Sequence, residues 1–214
     1  MQIAVPEALL KDKKLAKWVR EHGLIDDKDW RRPKNPFHSL IRSIIYQQVS
    51  GKAAASILNK FKGLFGGTFP TPQEVLSKTE AELRSAGLSR PKVIYIRDLA
   101  ARFEDGTINP RKFPRMSNDE IITHLTRVKG IGVWTAHMFL LFTLRRPDIL
   151  PTLDLAIRKG FQVVYGLKEL PEHETMERLA KNWRMHASLA SLYFWRIYES
   201  SKSKPAPRPK KARS

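Results

Sequence analysis

Two short stretches of this chain carry residue types and spacings suited to chemistry. The first is Gly130-Ile131-Gly132, set in Leu125-Thr126-Arg127-Val128-Lys129-Gly130-Ile131-Gly132-Val133-Trp134-Thr135-Ala136. Two glycines let a chain reverse tightly and bring backbone N–H groups, with the positive end of a following helix, against an anion such as phosphate. A plain helix–turn–helix connection uses the same glycines, so the pattern alone admits both readings. The second stretch is Pro151-Thr152-Leu153-Asp154, whose aspartate lies twenty-two residues beyond Gly132. At the start of a helix, negative charge is favoured by the helix dipole and by uncapped N–H groups, so Asp154 by itself reads as a helix cap. His124, His137 and His186 show no metal-ligand spacing, and no organic cofactor signature is present.

Helical signals surround both stretches. Phe37, Leu40, Ile41, Ile44 and Ile45 sit at helical spacing, and after a break at Gln47-Gln48-Val49-Ser50 the pattern resumes at Ala54, Ile57, Leu58 and Phe61. Thr71 to Glu74, Thr79 to Glu82 and Ser117 to Glu120 have the form of capping boxes, the first with proline at the opening helical position. Gly63, Gly66-Gly67, Gly87 and Gly106 mark stops, a further helix contains Leu15, Trp18 and Val19, and later helices are expected over 133–144, 153–165 and 184–199. Strand-like alternation of useful length is missing, so the expected fold class is all-α. Residues 200–214 are Lys, Arg, Pro, Ser and Ala without apolar periodicity, which predicts a disordered basic tail behind a single domain over 1–199.

The charge balance points to a polyanionic partner. The 214 residues carry 39 Lys and Arg against 21 Asp and Glu, a net +18. From Glu199 on there are six basic residues and one acid, which leaves +13 on the rest of the chain, so the body itself is basic. With no cysteine, disulfides, cysteine-held iron–sulfur clusters and thiolate zinc sites are excluded. Neither a signal peptide nor a membrane span is indicated, and the expectation is a soluble, intracellular protein.

The segment Leu125 to Ala136 resembles the helix–hairpin–helix of DNA repair glycosylases, and the resemblance extends from about Phe37 to Glu199. It implies a two-lobed all-α HhH-GPD fold with the active-site cleft between the lobes and the hairpin at 125–136. It also implies that Asp154, matched through Pro151, is the catalytic carboxylate. A fixed negative charge beside C1′ would stabilise the positive charge that builds on the sugar as the N-glycosidic bond breaks, and would orient or deprotonate water. By the same resemblance Lys129, Gly130, Ile131, Gly132 and Thr135 meet the DNA backbone, and the carbonyls of Thr126, Val128 and Ile131 offer a place for a monovalent cation, Na+ or K+. No cofactor for the chemistry is implied. Bifunctional members carry a lysine nucleophile two residues after the second glycine, where this chain has Trp134, so the expectation is a monofunctional enzyme without lyase activity.

Trp134 and Trp195 are similar to aromatic pocket residues of the 3-methyladenine DNA glycosylase II branch, with Tyr46 a further pocket candidate. Tryptophan in an amphipathic helix is ordinarily core, and Ser188, Ser191 and Tyr198 share the Trp195 face at helical spacing. Electron-rich rings suit cationic alkylated purines such as 3-methyladenine and 7-methylguanine, held after base flipping. Gln48 falls where the family places the side chain that fills the vacated stack, with a polar loop residue as the alternative. Ser50 reads as a cap and Lys52 as a backbone contact. The expected partner is double-stranded DNA containing damaged bases, and the expected function is base excision repair of alkylated purines, leaving an abasic site. Two alternatives stand beside it: a non-catalytic DNA-binding module, and a glycosylase for a neutral base such as hypoxanthine or uracil.

Overall fold

The computed structural model describes residues 1–30 and 35–203. Among these the α-helices are, in chain order, α1 (Glu7–Lys11), α2 (Lys13–His22), α3 (Pro36–Tyr46), α4 (Gly51–Gly63), α5 (Pro72–Ser77) and α6 (Glu80–Ser85). They continue with α7 (Arg90–Glu104), α8 (Asn118–Thr126), α9 (Val133–Met138), α10 (Leu155–Tyr165), α11 (His173–Ala180) and α12 (Ala187–Ser203). No strand occurs among the described residues, and β pairing is limited to one isolated bridge between Gln2 and Asp26. The fold is all-α, and it divides into two compact units, one from Met1–Trp30 with Arg146–Ser214 and one from Arg31–Arg145.

In the Arg31–Arg145 unit, local chemistry sets the helix ends. Asn35 caps α3 by accepting from the N–H groups of Phe37 and His38, and Pro36 supplies a first residue that needs no hydrogen bond. All three expected capping boxes form, at Thr71/Glu74, Thr79/Glu82 and Ser117/Glu120. At Thr79 the backbone N–H and a nearby lysine hold the Glu82 carboxyl down to about 2. The predicted apolar face of α3 is the buried one, with Phe37, Leu40, Ile41, Ile44 and Ile45 all out of solvent, and Phe37 meets Phe103 of α7 at 5.0 Å between ring centroids. The helix expected over 133–144 is two structures in series. After α9 the chain winds as a π-helix, Phe139–Leu144, and stops at Arg145 in left-handed conformation. Phe139, Leu140, Leu141 and Thr143 are buried within it.

The other unit is built around α10 and α12. Gly160 of α10 lies so near α12 that an added Cβ would stand 2.5 Å from the Phe194 carbonyl oxygen, and Phe161 stacks on Phe194 with centroids 4.0 Å apart. The last helix begins at Ala187 rather than Arg184, because Lys181–His186 forms a separate 3-10 segment interrupted by non-helical backbone at Trp183. It also runs to Ser203, past the expected start of the tail at residue 200, and the rest of that tail, 204–214, lies outside the described residues.

Asp12 ties this unit together away from the helix pair. One carboxylate oxygen caps α2, accepting from Lys14 and Leu15 N–H, while the other accepts from the Tyr165 hydroxyl at 2.6 Å and the Trp183 indole N–H at 3.2 Å. Burial, reinforced by this carboxylate, pushes the Tyr165 phenol far above its ordinary range. Replacing Asp12 by Ala removes a cap and strands two buried donors, so a loss of about 2 to 4 kcal/mol is expected in urea unfolding. Asp12→Ala unfolding at the wild-type midpoint would show that the network contributes nothing.

Candidate active site

Asp154 is the helix cap its position suggests, and its carboxylate also accepts from a side chain of a second helix. The helix starts at Leu155, two residues later than expected, so Asp154 is the N-cap residue itself. Its Oδ1 accepts from the Ile157 N–H at 3.0 Å and from the Trp195 indole N–H at 3.0 Å, and the side chain is buried. Backbone bonds fold the approach into a tight turn, Thr152 N–H to the Leu150 carbonyl and Asp154 N–H to that of Pro151. The Thr152 hydroxyl sits 2.9 Å from Nδ1 of His173. Leu153 and Leu155 flank the carboxylate at 65% and 53% exposure, an unusual display of leucine beside a buried acid. Sequence reasoning did not single out these two leucines, although their place around the aspartate could have marked them.

The polar face of α12 has a clear use. Ser188 Oγ donates to the Arg146 carbonyl and accepts from the Ile149 N–H, and the single Ser191 hydroxyl proton is shared between the Ala187 carbonyl at 2.8 Å and the Ile149 carbonyl at 3.2 Å. Both serines are fully buried, and they hold the loop that leads into the Asp154 turn. Trp195, on the same face, is half-buried with its N–H on Asp154. Asp148 lies in that loop, as expected, and its carbonyl accepts from Arg184.

In the Arg31–Arg145 unit, Trp134, Tyr46, Gln48 and Gly130 come together around a cavity of about 950 Å³. Trp134 is 45% exposed and therefore not a core residue. Tyr46, the last residue of α3, has the Arg42 guanidinium 4.0 Å from its ring centroid, so one ring face is already taken. Gln48 is exposed and adopts φ 55°, left-handed backbone that residues other than glycine seldom occupy. Ser50 caps α4 by accepting from the Ala53 N–H, and Lys52 follows it, exposed; neither lines the cavity.

The hairpin joins α8 to α9. Gly130 has φ 79°, and a Cβ there would fall 2.1 Å from a ring carbon of Tyr95. The Lys129 N–H donates to Asp98 at 2.9 Å, and the Ile131 N–H donates to the Val128 carbonyl at 3.0 Å, so both amides are committed inside the turn. Ile131 and Val128 are buried, Thr126 is half-buried, and Gly132 is the exposed N-cap of α9. Thr135 was expected on the DNA side, but its side chain is buried in the cavity wall, because the third residue of α9 turns inward. Gln47, Tyr95 and Asp98 are hairpin contacts that sequence reasoning missed.

Among the described residues no group of three or more His, Asp or Glu is placed to hold a metal, and no helix is long and apolar enough to cross a membrane. A family model described as HhH-GPD superfamily base excision DNA repair protein matches residues 41–185. DNA-3-methyladenine glycosylase 1 of Schizosaccharomyces pombe is 36% identical over 184 residues, 83% of this chain and 79% of that protein. The crystal structure of a DNA-3-methyladenine glycosidase from Bacillus halodurans matches with a TM-score of 0.87 at 30% identity, covering 95% of this chain and 94% of that one. A 3-methyladenine DNA glycosylase of S. pombe in complex with abasic DNA matches with a TM-score of 0.76 at 30% identity, covering 89% and 96%.

The two hairpin glycines differ in what they tolerate. Gly130 has left-handed backbone and a tyrosine ring against it, whereas Gly132 has φ −93° and open space at its Cβ position. Gly130→Ala is therefore expected to destabilise by about 1 to 3 kcal/mol, and Gly132→Ala by much less. Equal denaturation midpoints for the two variants would contradict the packing described for Tyr95.

Proposed function

The chain belongs to the HhH-GPD superfamily of base excision DNA repair proteins, and from that premise we propose that it is a DNA glycosylase for alkylated bases. It binds damaged duplex DNA as a monomer, flips the lesion, and hydrolyses the bond between base and deoxyribose, leaving an abasic site in an uncut strand. The observation that carries this reading is the Asp154 carboxylate held by an indole N–H and a helix N–H, between two exposed leucines. A carboxylate so held needs little reorganisation to stabilise positive charge developing on a sugar. Trp134 stands two residues after the second glycine, where a strand-cutting enzyme would need its lysine, which supports hydrolysis without lyase chemistry.

The names of the S. pombe and B. halodurans relatives support 3-methyladenine as a substrate, and 7-methylguanine, a purine cation of the same kind, is proposed beside it. Trp134 in one unit and Trp195 in the other each carry the kind of ring face that attracts such cations. A neutral base is the second reading, and the cavity favours it: among the described residues Arg42 and Lys92 line it and no carboxylate does, and Arg42 covers Tyr46. The hairpin is assigned to the DNA backbone. Neutral carbonyl oxygens at Thr126, Val128 and Ile131 suit a hard monovalent cation, and Val128 keeps one lone pair beyond its bond to Ile131.

Single-turnover base release from methylated duplex DNA tests the proposal. Asp154→Asn should slow release at least about a hundred-fold while duplex binding is kept. Trp195→Phe, which removes the N–H donor together with part of the ring, should slow it at least about three- to ten-fold. Wild-type rates in Asp154→Asn would remove the carboxylate from the chemistry, and duplex binding without release of any base would favour a non-catalytic module. Comparing 3-methyladenine, 7-methylguanine and hypoxanthine decides between cationic and neutral substrates.

A further inference from the structure

The turn that carries Gln48 is fastened at both ends. As α3 finishes, the Ile44 carbonyl accepts from the Gln47 N–H at 3.3 Å and the Ile45 carbonyl accepts from the buried Lys92 ammonium at 2.7 Å. At the other end, Ser50 caps α4. Between them Gln47 is extended, Gln48 is left-handed, and the Gln47 side-chain amide donates to the Gly130 carbonyl at 2.9 Å across 83 residues of sequence. Gly130 is itself a rigid anchor, lodged against Tyr95 and preceded by Lys129, whose N–H is held by Asp98. The hairpin and the Gln48 turn are thus connected by a direct side-chain bond.

We propose that Gln47 is a positioning residue for base extrusion. Its amide holds the turn against Gly130, so that a hairpin seated on the DNA backbone fixes the place from which Gln48 enters the gap left by the flipped base. This rests on the glycosylase reading above. Without the Gln47 donor the left-handed conformation of Gln48 relaxes, and the plug enters less often while the chemistry at Asp154 is untouched. The deficit is therefore largest where extrusion is hardest.

The test compares single-turnover release from two methylated duplexes, one with the lesion opposite its normal partner and one with it opposite an abasic site. Gln47→Met keeps the length of the side chain and removes the donor. It should slow release from the paired duplex about three- to ten-fold and from the unpaired one less than two-fold, and Gln47→Lys, which restores a donor, should recover most of the loss. Equal slowing on both duplexes, or none on either, overturns the proposal. If wild-type protein releases no base, the glycosylase reading fails, and 2-aminopurine opposite the lesion then decides about Gln47. Entry of the plug raises its fluorescence in wild type and by less than half as much in Gln47→Met, whereas an equal rise refutes the role.

Discussion

The close approach of α10 and α12 at Gly160 is the constraint on which the Asp154 site depends. No side chain fits between Gly160 and the Phe194 backbone, so the helices meet main chain to main chain, with Phe161 stacked on Phe194 and Trp183 packed on both. Asp154 heads one of these helices, and Trp195 follows Phe194 on the other. Moving the helices apart by the thickness of a methyl group would lengthen a 3.0 Å bond between indole and carboxylate beyond useful range. The site thus takes its geometry from a packing contact that contains no polar side chain.

Capping and catalysis are usually weighed as competing explanations of an aspartate at a helix start. Here the cap and the proposed chemical role rest on the same carboxylate. Oδ1 takes both the Ile157 N–H and the Trp195 N–H, and these two bonds orient the plane of the carboxylate. A side chain fixed this way has lost its rotamer freedom during folding, so that cost does not recur when a reacting group arrives. The serines of α12 extend the same logic one layer out: Ser188 and Ser191 satisfy the loop from Arg146 to Ile149 and set where the Asp154 turn begins.

What could be read from the sequence was local. The three capping boxes, the buried face of α3 and the break at Gln47 to Ser50 depend on residues within a turn of each other, and all are present. Asp154 and the hairpin were found through spacing and family likeness. The helix α7 was missed although Val93, Ile96, Leu99 and Ala100 form its buried face between a proline and Gly106, and α11 was missed because its N-cap, Glu172, makes no side-chain cap bond of the kind that marked the shorter α5 and α6. The π-helix had no local marker, since burial of Phe139 to Thr143 is decided by what surrounds them. Contacts of Gln47, Lys92 and Asp98 with partners 83, 47 and 31 residues away leave no periodic trace. The Arg42 stack on Tyr46, by contrast, is an i,i+4 pair within α3 whose spacing is legible in the sequence, and it changes the meaning of a tyrosine that sequence reasoning offered as an open ring face.

Several amides of the hairpin are committed to partners within the protein. Lys129 and Ile131 give their N–H groups to Asp98 and Val128, and Ala136 gives its own to the Gly132 carbonyl. These bonds have a structural purpose. By committing the amides on either side of Gly130, they leave the turn a single shape, and it is this rigidity that makes the Gly130 carbonyl a fixed point for Gln47 to hold.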